Sequence, residues 1–183
     1  TDMGFDEFFG FYGGGRSYWQ YKGAPKSAYA MRDGITSVEK TWGTEGDTTR
    51  YDPQRGRYLT DALGEEAADF ITRSASSQSP FFMYMALTPP HIPREAKAAD
   101  LARFQHIEDT RERSLAAMMY AADRAVGDVM NALKASGVDE NTVVVLTNDN
   151  GGPAPYDRTP FRGGKGQLWE GGIRVPFIVR APN

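Results

Sequence analysis

Asp149-Asn150, Lys165 and His91 are the side chains in this sequence best suited to act together on an anionic ester beside a divalent metal. Asp149-Asn150-Gly151-Gly152 directly follows the apolar run TVVVLT, residues 142–147. It offers a carboxylate and an amide oxygen, with glycines that let the backbone turn sharply. Oxygen donors suit Ca2+ or Mg2+ over zinc, which favours nitrogen and sulfur. Two donors are too few for a hard cation that takes about six oxygens, so others must come from elsewhere. The same tetrapeptide is also a good turn sequence that needs no ligand.

Lys165 lies among glycines in Arg162-Gly163-Gly164-Lys165-Gly166, and Trp169-Glu170-Gly171-Gly172 follows. An ammonium on a flexible stem with a glycine-lined approach suits an anionic oxygen. A solvated loop lysine is the plain alternative, and the GxxxxGK[ST] spacing of a P-loop is absent. Glu170 could orient Lys165 or simply join a surface pair worth about 0–1 kcal/mol. His91 sits between Pro90 and Ile92-Pro93, behind the apolar run FFMYMAL. As an imidazolium it would bind an anionic oxygen, and as a general acid it would protonate a leaving alkoxide. A structural loop histidine fits the same context, and His106, in a polar stretch, takes no role.

The elements that must position these groups are legible as patterns. Residues 1–58 are rich in Gly and aromatics and read as an irregular loop held by aromatic packing, with a hairpin around Asp33-Gly34. Leu59, Leu63, Ala67, Phe70 and Ile71 recur at helical spacing, which predicts a helix to about Ser74, then a turn over Ser76 to Pro80. Phe81 to Leu87 reads as a strand covered on both faces, and the three prolines after it as a stiff loop. A second helix is expected from Thr110 to Ser136, with Asp109 as N-cap, Gly137 as its stop, and methionines among its core residues. Buried strands follow at 142–147 and 175–179. The order predicts an α/β fold, with residues 59–183 as its core and a mostly parallel sheet. Ligands of such sheets bind beyond the carboxyl ends of the strands, the edge that His91 and Asp149-Asn150 should occupy and that Lys165 could reach.

The bulk composition narrows the function classes. The 183 residues carry a net charge of −3, which argues against a nucleic-acid partner. No apolar run approaches the roughly 20 residues of a membrane span, and no signal-peptide pattern is present. With no cysteine, disulfides, thiolate metal sites and any cysteine-derived nucleophile are excluded within these residues. The lack of an initiator Met and the stop just after an apolar run lead us to expect a piece of a longer protein.

Six pieces, in order, carry a family resemblance: Gly4-Phe5-Asp6-Glu7-Phe8-Phe9-Gly10, Tyr58-Leu59-Thr60-Asp61, Pro90-His91-Ile92-Pro93, Thr147-Asn148-Asp149-Asn150-Gly151, Pro160-Phe161-Arg162-Gly163-Gly164-Lys165, and Trp169-Glu170-Gly171-Gly172-Ile173-Arg174-Val175-Pro176. The ordered set resembles the sulfatase family of the alkaline-phosphatase superfamily. The resemblance implies an α/β/α sandwich and hydrolysis of sulfate esters, on aryl sulfates or sulfated carbohydrates. It implies that Asp149 and Asn150 ligand Ca2+ (Mg2+ being the lesser alternative). It also implies that Lys165 grips the sulfate and that His91 binds or protonates near the leaving oxygen.

The family nucleophile is a formylglycine made in a C/S-x-P-S-R motif. That motif is absent here, as are an aspartate pair that completes the metal site and a G-K-W-H-like segment, all expected upstream of Thr1. This chain alone is therefore expected to be inactive, within a periplasmic, secreted or lysosomal-type parent. A phosphodiesterase or phosphonate hydrolase of the same superfamily is the nearest alternative, because phosphate and sulfate esters present similar oxyanions. A noncatalytic binder of sulfated glycans is the alternative from another class.

Overall fold

The computed structural model describes residues 4–19, 31–33, 36–37, 51–52, 56–77, 79–153 and 159–182. The chain forms two compact units, Thr1–Ser136 and Gly137–Asn183. In the first, short strands β1 (Phe9–Gly10), β2 (Arg32–Asp33) and β3 (Thr36–Ser37) make a small antiparallel sheet, and β4 (Tyr51–Asp52) pairs with β5 (Gly56–Arg57). Helices α1 (Leu59–Ser77), α2 (Ala98–Ala102) and α3 (Thr110–Ala135) follow. The second unit contains a 3-10 turn at Asp139–Asn141, β6 (Val144–Thr147), α4 (Glu170–Ile173) and β7 (Phe177–Arg180).

Local chemistry sets the bounds of α3 as expected. The Asp109 carboxylate accepts from the backbone N–H groups of Arg111 and Glu112 at 2.7 and 3.0 Å, satisfying two donors that no helical carbonyl reaches. Those two hydrogen bonds hold the Asp109 carboxyl below its ordinary range. At the other end Gly137 takes φ +69°, a left-handed conformation that stops the helix at little cost.

The face of α3 that is buried is mostly alanine: Ala117, Ala121, Ala122 and Ala125, with Met118, Val129 and Leu133. Small side chains let α1 pack close, with Gly64 against Ala125. Met118 is fully buried, whereas Met119 is 43% exposed. The aromatic N-terminal segment does not stand apart from the helices. Tyr18, Trp19 and Tyr58 share one core with Leu59, Ala62, Ala117, Met118 and Ala121. Tyr18 stacks on Tyr58 at 5.6 Å between centroids, and Trp19 meets Tyr58 edge-on at 5.2 Å.

Four charged groups join the three helices. Asp61, wholly buried in the first turn of α1, accepts from Lys97 Nζ at 2.6 Å and from Arg124 Nη2 at 2.6 Å. Arg124, on α3, also reaches Asp100 of α2 at 3.0 Å. Burial works against the Arg124 guanidinium, but its hydrogen bonds and attraction to Asp100 and Asp61 raise its pKa overall. Two carboxylates and two cations thus neutralise one another, the condition under which charges are tolerated in an interior.

Several expectations are corrected. The run Phe81 to Leu87 joins no strand ladder among the described residues. It is extended, with burial alternating residue by residue, Phe82 and Tyr84 outward and Phe81, Met83, Met85 and Leu87 half-buried. The pairing between β6 and β7 is antiparallel, with Thr147 opposite Phe177 and Val144 opposite Arg180, where a mostly parallel sheet was expected. Residues 148–176 return the chain to the same end of the ribbon, and a parallel partner would need a crossover to the opposite end. Nor are these strands buried, since Val145 is 51% and Phe177 67% exposed. Helix α1 runs on to Ser77, into the expected turn, of which Gln78 lies outside the described residues. The hairpin is present as β2 opposite β3, with Asp33 ending its strand opposite Thr36. Gly34 lies outside the described residues.

Candidate functional site

In the second unit, three loop segments are tied through their backbones behind β6. Gly151 N–H donates to Gly172 O at 2.9 Å, Lys165 N–H to Gly152 O at 3.1 Å, and Gly171 N–H to Arg162 O at 2.8 Å. The segments meet so closely that a Cβ on Gly172 would run into the carbonyl oxygens of Gln167 and Gly164. Only glycine fits there, which explains the glycine density around the charged residues. The ring of Trp169 lies under the Arg162 guanidinium at 3.7 Å, and Arg174 lies over Phe161 at 4.8 Å.

This frame sets two of the predicted groups side by side at backbone level: the Asp149-Asn150 turn, which leads into Gly151-Gly152, and Lys165. Asp149 and Lys165 are both exposed, and neither side chain forms an ion pair among the described residues. Asn150 is half-buried and lines an open cleft of about 360 Å³, together with Asn148, Thr159, Phe161, Arg174 and Pro176. Asp149 and Lys165 are not part of that lining. Glu170 does not orient Lys165. It pairs with Arg174 at 3.3 Å across one helical turn, with both side chains exposed, as the plain surface reading had it.

The donor set supports only part of a metal site. Among the described residues, no three His, Cys, Asp or Glu side chains gather so as to hold a metal ion. Asp149 and Asn150 supply hard oxygens of the type Ca2+ prefers, and they are two of the six to eight that ion takes. They fit a share of such a site and cannot complete one.

His91 belongs to the first unit and is exposed. It follows the extended run 81–87, and cis peptide bonds precede Pro90 and Pro93 around it. Its Nδ1 lies 2.7 Å from the Ile92 carbonyl oxygen. A carbonyl only accepts, so Nδ1 carries the hydrogen, and Nε2 is the nitrogen left to act on anything outside.

The backbone of this loop is held from several sides. His91 N–H donates to Thr88 O at 3.0 Å. Tyr18 Oη donates to His91 O at 2.9 Å, and Tyr58 Oη donates to Glu95 O at 2.7 Å. The Glu95 carboxylate accepts from Ser17 Oγ at 2.7 Å and from Tyr18 N–H at 2.8 Å. Sequence reasoning missed these partners of His91. Ser17 and Tyr18 lie more than seventy residues from their partners in this loop along the chain, Tyr58 lies 37 from Glu95, and the aromatic segment that carries the first two reads as packing material.

Mouse Arylsulfatase J is 31% identical across 100% of this chain and 29% of its own length. The N-acetylgalactosamine-6-O-sulfatase of Bacteroides thetaiotaomicron is 33% identical over 64% of this chain and 26% of its own. The crystal structure of Ps i-CgsB in complex with k-i-k-neocarrahexaose is 34% identical and superposes with a TM-score of 0.83 over 98% of this chain and 40% of that one. The chain therefore spans little more than a quarter of the length of these curated relatives. The fold is α/β and alkaline-phosphatase-like, as in the sulfatase structures it resembles. The family model described as Sulfatase matches residues 1–183 without a break, so this chain belongs to the sulfatase family.

Proposed function

We propose that the protein to which this chain belongs hydrolyses sulfate esters of carbohydrates. The observation that carries the reading is the family match over residues 1–183, the span in which Asp149-Asn150 and Lys165 share one glycine-tied frame. The carbohydrate preference is supported by two similar proteins, one named for an N-acetylgalactosamine sulfate and one crystallised with an oligosaccharide.

In this reading the Lys165 ammonium neutralises charge on the sulfate oxygens, which grows on the leaving oxygen as the S–O bond breaks. His91, as the imidazolium, keeps its Nδ1 hydrogen on the Ile92 carbonyl and gives its Nε2 hydrogen to the leaving alcohol oxygen, ending as the neutral ring. Asp149 and Asn150 would help hold a Ca2+ ion, whose charge would polarise the sulfate. A formylglycine nucleophile and the remaining metal ligands would come from outside residues 1–183, because this sequence has no cysteine and no C/S-x-P-S-R motif. A periplasmic, secreted or lysosomal-type location goes with that reading.

The test is steady-state kinetics of the full-length protein, following sulfate released from a sulfated oligosaccharide and from a chromogenic aryl sulfate. Lys165→Ala and His91→Ala are each expected to lower kcat/KM at least about tenfold, or about 1.4 kcal/mol of transition-state stabilisation. Wild-type values in both variants would refute the assigned roles. Phosphodiester turnover with no sulfate release would favour the phosphodiesterase alternative.

A further inference from the structure

The N-terminal aromatic segment reads as packing, yet Gly15, Ser17 and Tyr18 all contact the loop that carries His91. Gly15 lies directly against the imidazole. A Cβ added there would sit 3.1 Å from both Cε1 and Nδ1 of His91 and 3.7 Å from the Ile92 carbonyl oxygen. That is the same pair, Nδ1 and Ile92 O, that selects the tautomer. Three residues on, Tyr18 is wholly buried and donates its hydroxyl to the His91 carbonyl at 2.9 Å, while its own N–H is held by Glu95 at 2.8 Å. The segment therefore bounds the ring on one side and anchors the backbone that carries it.

We infer that Gly15 and Tyr18 are positioning residues for His91: Gly15 leaves the space in which the imidazole lies with its Nδ1–H on Ile92 O, and Tyr18 anchors the His91 backbone. The inference rests on the assignment of His91 to the leaving oxygen in the proposed sulfatase reaction. Proton donation to a leaving group depends steeply on the placement of the donor, and displacements of about 1 Å cost large factors in rate. Burial first, then the nearby Tyr58 and Glu95, push the Tyr18 phenol above its ordinary range, so it remains a donor throughout any working pH. The backbone of Gly15 does not require a left-handed conformation, so alanine there is a steric change alone.

The experiment is a double-mutant cycle in the full-length enzyme. Gly15→Ala and Tyr18→Phe are made in the wild-type and in the His91→Ala background, and kcat and KM are measured for a sulfate ester. In the wild-type background each is expected to lower kcat about three- to thirtyfold, with KM unchanged within about twofold. In the His91→Ala background neither should lower kcat further, because the group they position is gone. Wild-type kcat for Gly15→Ala and Tyr18→Phe would overturn the inference, and so would equal losses in the two backgrounds, which mark a merely structural role. If Tyr18→Phe does not fold, Gly15→Ala alone decides. A His91→Ala enzyme with wild-type kinetics would overturn the assignment of His91 itself, and the inference with it. Failure of the inference alone leaves His91→Ala defective.

Discussion

Asp149 and Lys165 present exposed side chains from a backbone that is closely tied. The hydrogen bonds from Lys165 N–H to Gly152 and from Gly151 N–H to Gly172 hold the segments that carry them. Holding Cα positions while leaving charged tips unpaired suits groups whose partners are an ion or an oxyanion, because no internal ion pair has to be broken on binding. If Asp149 holds Ca2+ as proposed, Asp149→Ala should raise the Ca2+ concentration needed for half-maximal sulfate release by the full-length protein at least about tenfold, since a charged ligand is lost. An unchanged Ca2+ titration after chelator treatment would show that Asp149 is only a turn residue. Asn150 is the member of the pair that also borders the cleft shared with Phe161 and Arg174.

At the level of elements, the charge cluster around Asp61 decides how α1, α2 and α3 are joined. Removing one partner from a buried ion pair leaves an uncompensated charge, which costs about 3–5 kcal/mol. Asp61→Ala should lower stability by about that much, measured by urea denaturation, because Lys97 and Arg124 both lose a partner. A loss below about 1 kcal/mol would mean that water already screens the cluster.

Glu66 lies on the same helix α1. Burial, and then the neighbouring Asp69, raise its carboxyl above the ordinary 4.5. A folded-state value above the unfolded one means that its contribution is fully present below about pH 4.5 and is lost as pH rises through the raised value. Glu66→Gln, neutral at every pH, should accordingly raise Tm at pH 7 and give no gain in acid. Equal Tm shifts at both pH values would remove the electrostatic explanation.

At the scale of the whole molecule, the second unit exposes much apolar surface. The β6–β7 ribbon leaves Val145, Leu146, Phe177, Ile178 and Val179 exposed, an apolar surface on both of its faces. No three metal-ligating side chains gather among the described residues, and the sequence has no cysteine. The isolated 183-residue chain is thus expected to release no sulfate from a chromogenic aryl sulfate with Ca2+ above the buffer rate. Turnover that survives purification to homogeneity would show that the nucleophile lies within these residues.

What the sequence determined by itself is whatever depends on neighbours along the chain or on residue type alone. The cap at Asp109, the stop at Gly137, the α1 and α3 helices, the strand ahead of Asp149 and the family-ordered motifs are all of this kind. Capping bonds span two or three residues, and helical periodicity needs only a few turns to declare itself. The run FFMYMAL joins no ladder among the described residues; an apolar run reports a preference for burial and cannot say whether a ladder partner lies alongside. Only the tertiary structure decided that β7 returns antiparallel to β6, that Met118 is buried among alanines while Met119 is exposed, and that Asp61 meets Lys97 and Arg124. It alone joined Gly15 and Tyr18 to His91. Those contacts link residues far apart in the chain, where no local spacing rule applies, and they exist only once the backbone has closed on itself.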